Sequence, residues 1–247
     1  MGSVVFDCDS TLSAIEGIEY ISADHAAAVE ALTREAMDGL TPLESVYGRR
    51  LDLVRPDRAT VDRLTSAYID TLTEDAREVV AALIAEGVRV RVLSGGLLPA
   101  VRGLAQELGL GPGDVAAVDV MFEADGSWRG YDAASPLARA GGKAEILGGW
   151  RATMPAPVML VGDGATDAEA KDAVDVFVAY CGLVERPVVV AAADAVIRSV
   201  SLAPVLALAL GAPPTDPGRL KLYEKGRSLL LADAANEDQP EPRKQRA

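Results

Sequence analysis

The chain has 247 residues, 37 acidic side chains against 24 basic ones, a single histidine and a formal net charge of −13. One histidine excludes the usual two- or three-histidine zinc or iron site and leaves little room for a Ser–His or Cys–His nucleophile pair. The acidity excludes a sequence-tolerant binder of nucleic acid, which needs surplus Lys and Arg, and points toward carboxylate chemistry with a hard cation.

Ser3 to Phe6 is a short apolar run that reads as a buried strand, and Asp7-Cys8-Asp9-Ser10-Thr11 is the polar loop it feeds. Four helical patterns with no strand between them follow, to about residue 73. Among them Thr41-Pro42-Leu43-Glu44 is the best-signalled start, with Thr41 as cap, Pro42 at the first helical position and Glu44 closing a capping box. Pro56-Asp57 marks a further boundary. A helix is expected over 74–86, a strand over 88–93 with Ser94-Gly95-Gly96 as its exit loop, and a helix over 97–108. Residues 115–122 look extended, and Asp125-Gly126 is a turn signal before Trp128. A helix over 143–151, a strand over 158–161, the loop Gly162-Asp163-Gly164 and a strand over 174–179 complete the pattern.

Strands separated by helices pair in parallel through right-handed crossovers. The expected architecture is α/β: a Rossmann-like parallel sheet flanked by helices, formed by residues 1–13 and 74–215, with a small helical insert at 14–73. Residues 216–247 form a C-terminal extension, with one more helix over 218–234 and a disordered tail from about 236. No internal repeat is present. Cys8 and Cys181 make no disulfide framework, and Cys8 reads as packing. Val4 to Phe6 is too short for a signal segment, and Pro187 to Ala212 is interrupted by Asp194, Arg198 and Pro204. A cytoplasmic protein with no membrane partner is therefore expected.

Ligands of open parallel sheets bind at the carboxyl ends of strands. Three strands here end in polar, glycine-bearing loops, at Asp7–Thr11, Ser94–Gly96 and Gly162–Asp167, and Lys143 near a helix start adds a cation. An EF-hand reading of the first loop fails, because Leu12 and Ile18 stand where Gly and Glu are required. A Walker loop fails because no Gly-Lys-Ser/Thr run exists.

Four blocks resemble the phosphoserine phosphatases of the haloacid dehalogenase (HAD) superfamily: Asp7-Cys8-Asp9-Ser10-Thr11, Ser94-Gly95-Gly96, Gly142-Lys143-Ala144 and Gly162-Asp163-Gly164-Ala165-Thr166-Asp167-Ala168-Glu169-Ala170. Spacing and flanking residues fit from about Ser3 to Leu208. The resemblance implies a HAD-like core with a helical cap, and a small-molecule phosphomonoester as substrate, L-phosphoserine being hydrolysed to serine through an aspartyl-phosphate. It makes Asp7 the nucleophile and Asp9 the acid and base. Asp7, Asp163 and the backbone carbonyl of Asp9 would hold Mg²⁺, with Asp167 supporting its waters or orienting Lys143. Ser94, Gly95 and Lys143 would bind the phosphoryl group. Glu16 would take the substrate ammonium and Arg50 its carboxylate, with Met37, Leu43, Gly96 and Thr166 as further substrate contacts.

Chemistry supports these assignments. A carboxylate nucleophile splits one difficult displacement into two. A carboxylic acid working near neutral pH needs a raised pKa, which a neighbouring carboxylate promotes and a bound cation opposes. Helical periodicity favours Arg50 over Arg49, because Leu43, Tyr47, Arg50 and Val54 share one stripe. Leu43 departs from the family, which usually has an aromatic residue there. Phosphoryl transfer to another alcohol such as homoserine, or hydrolysis of a different small phosphate, remains an alternative. His25 is expected at the surface. The oligomeric state has no sequence signal. Most of the negative charge is expected on the outer surface, where it concerns solubility.

Overall fold

A computed structural model describes residues 1–38 and 40–237, without the side chains of Asp24, Met37, Asn236 and Glu237. The elements run in the order β1 (Ser3–Phe6), α1 (Gly17–Tyr20), α2 (Ala26–Met37), α3 (Leu43–Val54), α4 (Arg58–Asp70), α5 (Ala76–Ala85), β2 (Arg89–Leu97) and α6 (Leu98–Glu107). Then come β3 (Val115–Val118), β4 (Val120–Phe122), β5 (Trp128–Tyr131), α7 (Gly142–Trp150), β6 (Val158–Gly162), α8 (Ala165–Ala168) and β7 (Val176–Tyr180). The chain continues with α9 (Pro187–Ala192), β8 (Ala195–Ile197), α10 (Ala203–Ala209) and α11 (Pro217–Glu237).

Six strands form one parallel sheet in the order β3-β2-β1-β6-β7-β8, and β4 and β5 form a separate antiparallel hairpin. The α/β expectation is met. All four residues of β1 are buried, as a strand covered on both faces requires. The order reverses direction at β1, where successive crossovers go first to β2 and then to β6 on the other side. Phe6 pairs with Val92 on one neighbour and Val161 on the other. That register brings Asp7, Ser94 and Asp163 to one end of the sheet within two residues of the same level. Such a switch point opens a crevice for ligand.

Several local expectations need correction. Ser94-Gly95-Gly96 is the last part of β2 and not an exit loop, and the pairing with β3 shifts register between Leu93 and Leu97. The extended stretch 115–122 divides between β3 in the main sheet and β4 in the hairpin. The Thr41 capping box does not form. Thr41 turns to Glu35, and the Glu44 carboxylate accepts instead from the Ala140 backbone N–H at 3.0 Å, tying α3 to the loop before α7. A long-range partner has displaced the local one. Asp57 does cap α4, accepting from Thr60 N at 2.7 Å.

The insert α1–α4 lies between β1 and α5 in sequence. Its last helix packs on α6, where Gly103 meets the Thr65 side chain. The C-terminal extension is a structural part of the sheet's helical layer: α11 packs on α10 and α5. Lys225 bonds Glu74 and Asp75 there at 2.7 and 2.6 Å. The remainder of the expected tail, residues 238–247, lies outside the described residues. Cys8 is fully buried and His25 exposed, as expected, and both cysteines are free. Among the described residues no helix is long and apolar enough to cross a membrane.

Candidate active site

Asp7 leaves the end of β1 and Asp163 the end of β6, so each carboxylate follows the last buried residue of a central strand. Both are buried, with relative exposures of 7% and 2%. Lys143, in the first turn of α7, reaches between them and α8: its Nζ lies 2.8 Å from Asp7 Oδ2 and 2.7 Å from Asp167 Oδ1. Burial alone would disfavour the ammonium, but the Asp167 and Asp7 carboxylates outweigh it and hold the Lys143 pKa above its ordinary value. Asp167 also accepts from Gly164 N at 3.2 Å. Gly162 is required beside it, because a Cβ there would overlap the Asp167 carboxyl group.

Carboxylate oxygens of Asp7, Asp163 and Asp167 lie within 4.8 Å of one another. Three buried oxygen donors suit a hard divalent cation. Burial, followed by the charge of Glu16, pushes the Asp163 pKa up to about 7. Two unforeseen partners hold Asp163 in place. Thr11 Oγ1 donates to its Oδ1 at 2.8 Å, and the buried guanidinium of Arg186 pairs with its Oδ2 and bridges to Asp38 at 3.6 Å.

Asp9 sits beside this group. Its Oδ1 accepts from Gly17 N and from Tyr68 Oη, both at 2.6 Å, and Ser94 Oγ approaches its Oδ2 at 3.3 Å. Burial and then the Asp7 charge raise its pKa above the ordinary carboxylate value, the direction an acid working near neutral pH needs.

Asp7, Asp9, Glu16, Leu43, Arg50, Gly95, Gly96, Lys143, Asp163 and Thr166 line a single pocket. Arg50 faces inward, 4% exposed, whereas Arg49 is exposed, as helical phase expected. The Arg50 guanidinium stacks 5.3 Å from the Tyr47 ring centroid and donates to Thr33 Oγ1 at 3.2 Å. Its Nε is buried with no hydrogen-bond partner among the described residues. Glu16 accepts from Ser10 Oγ at 2.8 Å; burial and then the Asp9 charge push its pKa up to about 7. Leu43 is buried against the same space. Tyr47 Oη donates to the Gly95 carbonyl at 2.8 Å, fastening α3 over β2. Ser94 and Asp167 lie within hydrogen-bond reach of Asp9 and Lys143 respectively. The expected contact at Met37 falls on a side chain outside the described part.

A model of haloacid dehalogenase-like hydrolases matches residues 4–170, a stretch that holds every residue expected to bind, react or ligate a metal. The chain belongs to this family. It is 35% identical over 187 residues to a phosphoserine phosphatase of Rattus norvegicus, covering 74% of this chain and 83% of that one. Among solved structures it is similar to a substrate-bound phosphoserine phosphatase complex, with a TM-score of 0.72 and 28% identity over 83% of this chain and 96% of that one. A phospho-aspartyl intermediate analogue of phosphoserine phosphatase aligns with a TM-score of 0.70 and 29% identity, over 83% and 97% of the two chains.

In this HAD-like hydrolase, sequence reasoning missed Tyr68, Arg186 and the role of Thr11. Thr11 carried a signal, as the last residue of the Asp-x-Asp-x-Thr opening. Tyr68 and Arg186 carried none, because their partners lie 59 and 23 residues away outside any motif.

Proposed function

We propose that the chain is a Mg²⁺-dependent phosphatase that hydrolyses L-phosphoserine to L-serine. In this reading residues 14–73 are a cap over the core, and Asp7, Asp163 and the Asp9 carbonyl hold the cation. The observation that carries the substrate assignment is that Glu16 and Arg50 both line the pocket that also holds Asp7. An acid with a raised pKa suits an ammonium, which would favour its ionised form. A buried guanidinium with an unpartnered Nε suits a carboxylate.

Asp7 attacks phosphorus, forming an O–P bond as the bond to the seryl oxygen breaks. Asp9 gives its proton to that oxygen. Water then attacks the aspartyl-phosphate, passing a proton to Asp9 and freeing Asp7. Ser94 and Lys143 hold phosphoryl oxygens, and Gly95 and Gly96 admit them close to the backbone. Bound Mg²⁺ would supply the positive charge that lets a dianionic phosphate approach these carboxylates.

Phosphate release from a panel of small phosphomonoesters tests the reading. L-Phosphoserine is expected to be preferred; release from sugar phosphates without release from phosphoserine overturns it. Chelation is expected to abolish turnover and Mg²⁺ to restore it. Asp163→Asn should raise the Mg²⁺ concentration for half-maximal activity by about 10-fold to 100-fold, with the fold retained by circular dichroism.

Glu16 gives a pH dependence. With its pKa near 7 in the free protein, Glu16 is largely neutral at lower pH and gains its charge as pH rises. KM for L-phosphoserine should therefore fall between about pH 6 and pH 8, relative to KM for the analogue lacking the amino group. The comparison cancels ionisation of the phosphate itself. In Glu16→Gln that relative fall should vanish; if it persists, another group recognises the ammonium.

A further inference from the structure

We propose that Tyr68 is a positioning residue for the proton-transferring carboxyl of Asp9, delivered from the base of the helical insert. The inference rests on the roles assigned above to Asp7 and Asp9. Tyr68 is fully buried near the end of α4, the insert helix seated on α6. Its hydroxyl donates to Asp9 Oδ1 at 2.6 Å, the same oxygen that accepts from Gly17 N at 2.6 Å. Two convergent donors leave that oxygen no room to carry a proton. They also fix the rotation of the carboxyl group, which is otherwise a soft torsion.

The second oxygen, Oδ2, is left beside the pocket-lining Gly96, with Ser94 Oγ 3.3 Å away. A Cβ at position 96 would stand 2.9 Å from Oδ2 and 3.2 Å from the Tyr68 hydroxyl. Gly17 contributes twice, since it donates its N–H and its missing side chain leaves the space that the Tyr68 hydroxyl occupies. The local sequence is therefore arranged around the phenol oxygen as well as around the carboxylate.

Oδ2 then carries the proton in both half-reactions. As the seryl O–P bond breaks and the Asp7 O–P bond forms, the proton moves from Oδ2 to the seryl oxygen. As water forms its bond to phosphorus and the Asp7 O–P bond breaks, a water proton returns to Oδ2. Removing the Tyr68 hydroxyl frees the carboxyl to rotate, which harms substrates in proportion to how much their leaving oxygen needs a proton.

The test compares Tyr68→Phe with the wild type, both saturated with Mg²⁺, on L-phosphoserine and on p-nitrophenyl phosphate, whose leaving group departs without protonation. The parameter is kcat/KM, which reads only the steps up to phosphoryl transfer to Asp7. The ratio of the phosphoserine value to the p-nitrophenyl value is expected to fall about tenfold in Tyr68→Phe, the worth of one hydrogen bond. In an Asp9→Asn background the same substitution should leave that ratio unchanged. An equal fall on both substrates, no fall, or an undiminished fall in the Asp9→Asn background overturns the proposal. Thermal midpoints accompany each variant. Should Tyr68→Phe not fold, Tyr68→Leu supplies the hydroxyl-free comparison under the same criteria. If the wild type fails to cleave phosphoserine, the substrate reading falls alone; phenyl phosphate, with its poorer leaving group, then replaces it in the same ratio.

Discussion

Asp7→Asn is expected to lower kcat on every phosphomonoester by roughly 10⁴-fold or more, because it removes the group proposed above as nucleophile and not a supporting contact. The amide is nearly isosteric, and the buried surroundings of Asp7 should keep their shape. Two readouts separate loss of chemistry from loss of structure. Circular dichroism should match the wild type. Acid-quenched wild-type enzyme should carry a protein-bound, acid-stable phosphoryl group that the variant lacks. Turnover in Asp7→Asn within tenfold of wild type would show that another group attacks phosphorus. Lys143 sharpens the expectation, since it bridges Asp7 and Asp167 and would keep only one charged partner in the variant.

Arg50→Ala is expected to raise KM for L-phosphoserine by about 10²-fold, equivalent to roughly 2.7 kcal/mol, with a smaller change in kcat. The guanidinium is held by stacking on Tyr47 and by Thr33, so its orientation precedes substrate binding. Pre-organisation of this kind lowers the entropic cost of recognition. Phosphoethanolamine, which lacks the carboxylate, supplies the control: its KM should move far less. Arg50→Lys should recover little, because a point charge cannot reproduce a planar two-nitrogen contact. Equal increases for both substrates would place Arg50 in the structure of the insert and not in recognition.

The two substitutions probe different levels of legibility. Asp7 was readable from sequence because an apolar run followed directly by Asp-x-Asp needs only local order to place both carboxylates at a strand end. The inward face of Arg50 was readable because helical phase alone separates it from Arg49. The capping box at Thr41 was not, because local pairing and a tertiary partner compete for the same carboxylate, and Glu44 binds Ala140, 96 residues away. Likewise Ser94 to Gly96 read as a loop from composition, yet the neighbouring β3 draws them into the sheet with a register shift.

The amino-acid order by itself determined the parallel sheet, the helical insert and the stretches that carry Asp7, Asp9, Lys143, Asp163 and Asp167. Those features depend on periodicity and on residues adjacent in the chain. Only the tertiary structure decided how each group is held. Thr11 and Arg186 hold Asp163, Tyr47 fastens α3 to Gly95, and Tyr68 with Gly17 holds one oxygen of Asp9. The physical reason is that hydrogen bonding depends on separations of a few tenths of an ångström and on direction. Packing of elements dozens of residues apart fixes those quantities, and no local sequence pattern encodes them.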